Sequence, residues 1–365
     1  MEEDLVCWVA LNLVVSENLK ASRIIRDQAR TPQDVLEAGK KELCALGMDA
    51  KTAEGLSSPD LLAQAEKDLR RIEKSGYKVL SIRDARYPDY LREIYDPPLV
   101  LYCMGNVEML SEPCVSIVGS RRPTPYGRAV AERLARDLAS RGLVVVSGLA
   151  RGIDSAAHWG ALKTGRTVAV LGSGLDTIYP REHRGLAERI AEEGAVCTEF
   201  PLGAKPLGFH FPQRNRVITG LSLGLIVVEA ARRSGSLISA RLALDQNREV
   251  MAVPGNITSG QSQGTNWLIK TGAKLVEDWT DVAEELPSPV RERVLEADGV
   301  GKPTPELSPD EQKIFRLLAP DETTSVDDLV EKTGLSVPEI LSVLLSLELK
   351  DLVVQRPGKL FQRRL

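Results

Sequence analysis

Short apolar runs rich in β-branched residues alternate with helix-period segments between residues 115 and 286. This alternation predicts an α/β domain with a doubly wound, mostly parallel sheet covered by helices. The predicted strands are Val115–Val118, Leu143–Ser147, Thr167–Leu171, Leu225–Glu229 and Glu249–Val253, with a weaker strand at Ala195–Phe200. The predicted helices cover 126–141, 154–164, 182–193, 236–247 and 265–271.

The segments before this region are helical and then mixed. Residues 60–113 predict a helix at Asp60–Lys74 and two apolar pieces, Val79–Ile82 and Leu99–Cys103, that could extend the sheet at one edge. We therefore place one domain at 60–286. Residues 1–59 predict a separate helical domain, in which 43–53 faintly resembles a SAM-like or helix-hairpin-helix module; a plain helical domain is the alternative.

The chain ends in a predicted winged helix. Residues 287–305 contain four prolines and two glycines among polar residues, which is typical of an exposed linker. Residues 306–365 then predict three helices, Glu311–Leu318, Val326–Lys332 and Pro338–Leu349, and a hairpin of Leu352–Arg356 with Leu360–Arg363. Helix-turn-helix followed by a β-hairpin is the order of a winged helix.

Net charge is distributed unevenly along the chain. The 47 Lys and Arg against 51 Asp and Glu give −4 overall. Residues 115–286 nevertheless carry 21 basic and 17 acidic side chains, and the flanking domains are acidic. The N-terminal apolar run follows acidic rather than basic residues and no run approaches the length of a membrane span, so we expect a cytoplasmic protein without a membrane association. Five scattered cysteines and three histidines indicate neither a disulfide framework nor a metal site.

The loops that follow the predicted strands are rich in glycine, serine and arginine. At the carboxyl ends of parallel strands, backbone amides and helix N-termini favour anionic ligands. Glycine lets these amides approach an oxyanion, and arginine adds a charged fork. Neither GxGxxG nor GxxxxGK[ST] is present, so a bound dinucleotide or ATP is disfavoured and no cofactor is expected. The predicted phosphate-binding residues are Gly119, Ser120, Arg121, Ser147, Gly148, Arg151, Gly152, Gly172, Gly174, Ser234, Gly235 and Ser236.

A second cluster combines aromatic, basic and amide side chains between residues 205 and 216. Cations for phosphates, a ring for a base face and an amide for a base edge are what a site for single-stranded nucleic acid uses. The alternative is structural, with Phe211 in the core and Arg214 paired with an acid such as Glu229. The predicted binding residues are Lys205, Phe211, Arg214, Asn215 and Arg216.

Evidence for catalysis in the sequence is limited to single polar residues near strand ends. Asp154, Asp176 and Glu229 lie there, and His158 lies one turn into a helix. No nucleophile elbow or paired-carboxylate spacing accompanies them. Helix caps or turn residues are equally good interpretations of Asp154 and Asp176, and a packing or surface role is the better interpretation of His158. We therefore predict a binding protein and not an enzyme.

In combination, these motifs resemble the DNA-processing protein A (DprA/Smf) family. The residues that carry the resemblance include 147–154, 172–176 with Tyr179-Pro180, 211–216, 234–237 and 253–256. The resemblance covers roughly 78–280 and extends more loosely into the final domain. It implies an extended Rossmann-like domain that binds single-stranded DNA as a homodimer, protects incoming DNA during natural transformation and helps to load the recombinase RecA. It further implies that Arg121 holds the backbone, that Phe211 stacks on a base, and that Lys205, Arg214 and Asn215 line the groove.

Two other functions remain possible from the sequence. A nucleotide phosphoribohydrolase of the lysine-decarboxylase-like group would share the topology, but the loop 229–241 lacks the PGGxGTxxE pattern of those enzymes and has Arg241 close to where the acid would fall. A transcriptional regulator would rest on the winged helix alone. Its third helix has two acids and no base before Lys350, whereas a helix in a major groove needs donors and cations.

Overall fold

The computed structural model describes residues 2–27, 31–297, 307–319, 322–350, 352–356 and 358–363. Six helices open the chain: α1 (Glu2–Val15), α2 (Leu19–Asp27), α3 (Pro32–Glu37), α4 (Lys40–Ala45), α5 (Ala50–Leu56) and α6 (Leu61–Lys74). No helix in the part of the chain that the structure describes is long and apolar enough to cross a membrane.

A nine-stranded sheet forms the centre of the molecule. Its strands are β1 (Lys78–Ser81), β2 (Val100–Gly105), β3 (Cys114–Val118), β4 (Val144–Ser147), β5 (Thr167–Val170), β6 (Ala195–Thr198), β7 (Gly224–Val227), β8 (Glu249–Ala252) and β9 (Lys274–Leu275). The helices that connect and follow them are α7 (Asp89–Arg92), α8 (Pro125–Ala139), α9 (Ile153–Ala161), α10 (Arg184–Glu193), α11 (His210–Gly220), α12 (Gly235–Asp245), α13 (Gln263–Lys270), α14 (Trp279–Glu284) and α15 (Ser288–Glu296).

The strand order is β1-β2-β6-β5-β4-β3-β7-β8-β9. Strands β3 to β9 pair in parallel, and β2 joins β6 antiparallel, so β1 and β2 extend one edge as the sequence predicts. The chain runs outward from β3 on one side and returns to β7 on the other. The doubly wound α/β fold is confirmed, and its switch point lies between β3 and β7, where such sheets open a crevice.

Side-chain alternation along the strands divides the core into two layers. Val115 and Ile117 of β3 pack with α8, α9, α14 and α15 on one face of the sheet. On the other face, α10 to α13 and the N-terminal helices belong to a single core that joins Trp8 and Leu11 to Leu101 of β2. The Asn12 side chain also donates to the Glu199 carbonyl at 2.9 Å. The N-terminal helices are therefore packed on the sheet, without a break in the core at the predicted boundary between 59 and 60.

The segment that we predicted as a linker begins with a helix. Val294 of α15 is fully buried in the second core layer, so 288–296 belong to the packed body and not to an exposed tether. The prolines and glycines of this segment led to the linker prediction. Pro289 is nevertheless compatible with a helix, because it lies in the first turn of α15, where proline is favoured. The remainder, from 298 to 305, lies outside the described residues.

The final domain is a winged helix with its own core. Each of its helices begins with a serine and an acid that form a reciprocal capping box, which satisfies the free amides of the first turn. Its elements are α16 (Pro309–Leu317), β10 (Thr324–Ser325), α17 (Val326–Thr333), α18 (Val337–Leu349), β11 (Val353–Arg356) and β12 (Leu360–Arg363). The predicted order of helices and hairpin is confirmed.

Candidate nucleic-acid interface

A pocket of about 250 Å³ opens at the carboxyl ends of β3, β4 and β5. Three arginines and two aromatic rings contribute to its wall, which combines positive charge with flat apolar surface. The pocket is lined by Arg121, Arg122, Gly148, Ala150, Arg151, Tyr179, Pro180 and Phe211. It lies at the sheet edge where the sequence predicts an anion site.

Two aromatic side chains stand side by side in this pocket. The ring centroids of Tyr179 and Phe211 are 5.6 Å apart with an interplanar angle of 50°. The Arg121 guanidinium carbon lies 5.4 Å from the Phe211 centroid, within range of a cation–π contact. Gly172 lies against the Phe211 ring, because a Cβ there would come within 3.0 Å of it. The half-buried Phe211 ring is thus held in place by glycine backbone at the edge of the pocket.

The three arginines differ in their partners. Arg121 and Arg122 are exposed and have no carboxylate partner among the described residues. Arg151 instead contacts Glu182, whose Oε1 accepts from Nε at 2.5 Å and lies 2.5 Å from Nη2 in an ion pair. Among the described residues, the pocket therefore presents two guanidinium groups without a carboxylate partner and one that is already paired with a carboxylate of the protein itself, Glu182.

The glycine-rich loop after β4 uses its amides differently from the prediction. The Gly148 and Ala150 amides donate to Asp154 Oδ2 at 3.1 and 3.3 Å, and Leu149 between them takes a positive φ of 56°. Burial raises the pKa of the Asp154 carboxyl, while nearby Arg214 acts in the opposite direction. These two amides are therefore occupied by the chain's own carboxylate, and the expectation that they bind a phosphate does not fit this structure.

Two arginines of the predicted single-strand cluster lie inside the protein. Arg214 is 3% exposed and donates to the Val170 carbonyl from beneath Gly148, where a Cβ would be 2.1 Å from its Nη1. Burial lowers the pKa of Arg214 to about 10, an effect that Asp154 opposes. Arg216 is 4% exposed and makes a two-pronged ion pair with Glu199 at 2.9 and 2.7 Å.

Helix α11 is buried on more than one side. Arg214 and Arg216 lie roughly 200° apart around its axis, and both are inaccessible, whereas Phe211 at the start of the helix stays half-buried at the pocket. Neither arginine lines the pocket, which corrects their predicted position in the groove. The alternative pairing of Arg214 with Glu229 is also absent, since Glu229 accepts from the Thr124 amide and hydroxyl at 2.9 and 2.5 Å.

Several other predicted residues serve the loops themselves. Ser147 Oγ donates to the Ile117 carbonyl at 2.6 Å, and the Gly174 amide donates to the Ala204 carbonyl at 3.0 Å. Gly152 has φ of 85° and would place a Cβ 2.4 Å from the Ser120 carbonyl, so only glycine fits there. The close approach of Gly119 to Ile153, at 2.7 Å for a Cβ, is likewise a packing requirement.

The remaining predicted residues lie around the pocket or apart from it. Lys205 is exposed and Asn215 is half-buried, and neither lines the pocket. Ser234 caps α12 by accepting from the Ser236 amide at 3.2 Å, and its loop with Gly235 borders a second groove between α12 and α13. The fourth predicted phosphate loop thus belongs to a different surface.

The list of binding residues predicted from the sequence leaves out four residues that line the pocket, Tyr179, Pro180, Arg122 and Ala150. Tyr179 is 42% exposed, and it follows the loop after β5 as a large aromatic among polar residues. That combination of a strand-end position and an exposed aromatic is the signal that could have identified it.

The polar residues considered for catalysis have structural partners. Asp176 accepts from the Gly203 amide at 2.8 Å and lies 3.5 Å from an Arg71 nitrogen. His158 is fully buried against Thr167 Oγ1 at 2.7 Å, and burial lowers its pKa to about 3. None of Asp154, Asp176, Glu229 and His158 lines the pocket. Within the described residues, no group of His, Cys, Asp and Glu is arranged to hold a metal ion.

Comparison with known families gives the same assignment as the motifs. The family model for DNA recombination-mediator protein A matches residues 78–287, and the family model for the DprA winged helix domain matches residues 301–359. This chain belongs to the DNA recombination-mediator protein A family. The resemblance seen in the sequence is therefore confirmed.

Relatives match over most of the chain. Protein Smf of Escherichia coli is 41% identical over 304 residues, which are 80% of this chain and 79% of that protein. DNA processing protein DprA of Streptococcus pneumoniae is 47% identical over 215 residues, 59% of this chain and 76% of that protein.

Two solved structures share the fold. The X-ray structure of DprA from Streptococcus pneumoniae has a TM-score of 0.66 at 37% identity and covers 76% of this chain and 96% of its own. The structure of DNA processing protein A from Helicobacter pylori, reported for its single-stranded DNA binding mode, has a TM-score of 0.52 at 35% identity, with 56% and 93% covered.

Proposed function

We propose that this protein binds single-stranded DNA in the pocket at the carboxyl ends of β3, β4 and β5. The observation that carries the proposal is the pairing of Phe211 and Tyr179 with Arg121 and Arg122 around one opening. Arginines neutralise phosphates, whereas an aromatic wall needs the free face of a base, which a duplex keeps stacked. The combination therefore favours a single strand over a duplex.

The role of each side chain follows from its position. Arg121 can hold a phosphate and still lie against the Phe211 ring, so one residue joins the backbone site to the base site. Arg214, Asp154 and the loop amides support the pocket from below by fixing the loop after β4. Arg216 supports α11 through Glu199. Lys205, which is exposed, can extend the positive surface along a longer strand.

A charge reversal at the opening tests this assignment. A labelled oligonucleotide of deoxythymidine is titrated with wild type and with Arg121→Glu, while Arg189→Glu on α10 changes an exposed arginine of 51% side-chain exposure outside the pocket. We expect Arg121→Glu to abolish binding and Arg189→Glu to reduce it only slightly. Equal binding by wild type and Arg121→Glu would contradict the site.

Family membership supports a role for this binding in DNA processing. We propose that the protein protects incoming DNA during natural transformation and assists loading of RecA, which would place it in the cytoplasm. Loading is tested by the rate at which RecA forms filaments on DNA already covered by a single-strand binding protein. An acceleration by wild type that Arg121→Glu lacks would support the proposal, and no acceleration by wild type would contradict it.

We also propose that two copies associate through the groove between α12 and α13. Three large apolar side chains are exposed there: Ile238 at 45%, Leu244 at 61% and Trp267 at 48%. Contiguous exposed apolar surface of this kind marks an interaction site, and a twofold dimer would cover it on both copies. Light scattering should report a dimer for wild type and a monomer for Leu244→Glu. A wild-type monomer, or a Leu244→Glu dimer, would contradict this interface.

We propose no catalytic step, because the carboxylates considered for hydrolysis hold loop amides and helix caps. The phosphoribohydrolase alternative has a direct assay. Release of free base from AMP or CMP by the purified protein would support that enzyme class over a binding protein.

A further inference from the structure

One of the three arginines in the pocket is held by a carboxylate that belongs to the protein. Glu182 lies in the short turn 181–183 before α10, and its Oε1 accepts from Nε of Arg151 at 2.5 Å and lies 2.5 Å from Nη2 in an ion pair. His183 anchors this turn to the loop that carries Arg151, since its Nδ1 lies 2.8 Å from the Leu149 carbonyl. The turn that carries Glu182 is therefore held beside the pocket by two contacts with the same loop.

The pair between Arg151 and Glu182 is exposed, so it can open at little cost. The Arg151 side chain is 60% exposed and that of Glu182 50%. Exposed ion pairs contribute little because water competes for both charges. The same two-nitrogen fork that Arg151 presents to Glu182 also matches two oxygens of a phosphate. A DNA phosphate can thus take the place of the carboxylate.

The other acids around the pocket are committed elsewhere. Asp154 accepts from loop amides, Asp176 from the Gly203 amide, Glu199 from Arg216 and Glu229 from Thr124. Among these five acids of the described structure, Glu182 alone is paired with an arginine that lines the pocket. The Glu182 side chain is half-exposed, so its negative charge is not part of the core.

We propose that Glu182 is an internal competitor that imitates a DNA phosphate on Arg151 and so weakens the binding of single-stranded DNA. This inference rests on the proposed function of the pocket. Binding DNA requires either that Glu182 releases Arg151 or that the strand tolerates a negative charge next to its own backbone. Either requirement lowers the affinity, so the complex can dissociate readily when the strand is transferred to another protein.

The test is Glu182→Gln, which keeps the shape and removes the charge. Glu188→Gln is the matched control, because Glu188 pairs with Arg184 on α10, is 60% exposed and lies outside the pocket. Removing a unit charge a few ångströms from a phosphate, at an exposed site where water screens the interaction, predicts an affinity gain of about three- to ten-fold at low salt. The gain should shrink as salt screens the charges. Glu188→Gln should bind like wild type.

A double-mutant cycle separates competition for Arg151 from a general field effect. In an Arg151→Gln background, Glu182→Gln should give little further gain, since the shared arginine is gone. Unchanged or weaker binding by Glu182→Gln, or the full gain in the Arg151→Gln background, would overturn the proposal. Failure of the proposed function itself would look different: wild type and Arg121→Glu would then bind alike, and that outcome would overturn both.

Discussion

The buried ion pair of Arg216 and Glu199 leads to a prediction about the stability of the fold around α11, the helix that carries Phe211. Both side chains are almost inaccessible, at 5% and 3%, and two hydrogen bonds of 2.9 and 2.7 Å join them. Arg216→Met would leave the Glu199 carboxylate buried with a single remaining side-chain donor, Gln213 at 3.0 Å. Removing one partner of such a pair costs about 3–5 kcal/mol. That is a large share of the about 5–15 kcal/mol by which domains are stable.

Urea unfolding followed by circular dichroism measures this loss. Arg216→Met should lower the free energy of unfolding by about 3–5 kcal/mol, whereas Arg121→Met, at an exposed position, should stay within about 0.5 kcal/mol of wild type. Adding Glu199→Met to Arg216→Met should recover much of the loss, since an apolar pair leaves no buried charge. If Arg216→Met keeps full stability and yet loses DNA binding, then Arg216 contacts DNA and its structural role here is wrong.

Three further predictions concern the pocket and the core beneath it. Phe211→Ala should weaken single-strand binding by about 1–3 kcal/mol in a titration, while Phe211→Tyr should retain it; equal loss in both would argue against stacking. Gly148→Ala should destabilise the protein by about 1–3 kcal/mol in urea, because its Cβ would be 2.1 Å from an Arg214 nitrogen, whereas Gly185→Ala on α10, with nothing within 4 Å, should not. His158 is neutral in the folded protein because burial lowers its pKa to about 3. Its contribution to the free energy of unfolding should therefore be fully present above its unfolded pKa near 6.5, and this free energy should fall by about 3 kcal/mol toward pH 4. His158→Asn should flatten that slope, and an unchanged slope would contradict the assignment.

The sheet could be predicted from the sequence because its strands are short apolar runs between recognisable turns. Thr167–Leu171 was predicted and Thr167–Val170 is observed, and the convergence of the loops after β3 and β4 followed from parallel pairing alone. The pattern could not show which acceptors the amides of these loops donate to. The Asp154 carboxylate that occupies the Gly148 amide is six residues further along, and either a cap or a free acid would fit that spacing.

The larger errors came from contacts between distant parts of the chain. The run 211–216 reads as an exposed basic segment, and only its position in α11 against Glu199 shows that Arg216 is a core residue. The N-terminal helices carry no local sign of their docking, since the contact between Asn12 and Glu199 spans 187 residues. The helix at 288–296 is similar, because the burial of Val294 depends on α14 and the sheet.

The most direct test of the central claim is photocrosslinking of single-stranded DNA that carries 5-iodouracil, followed by mass spectrometry of the crosslinked peptide. This base reacts with aromatic rings on which it stacks. If the pocket at β3, β4 and β5 binds a base, the crosslink should fall on Phe211 or Tyr179 and disappear in Arg121→Glu. Crosslinks confined to the winged helix or to the N-terminal helices, with none at these two rings, would contradict it.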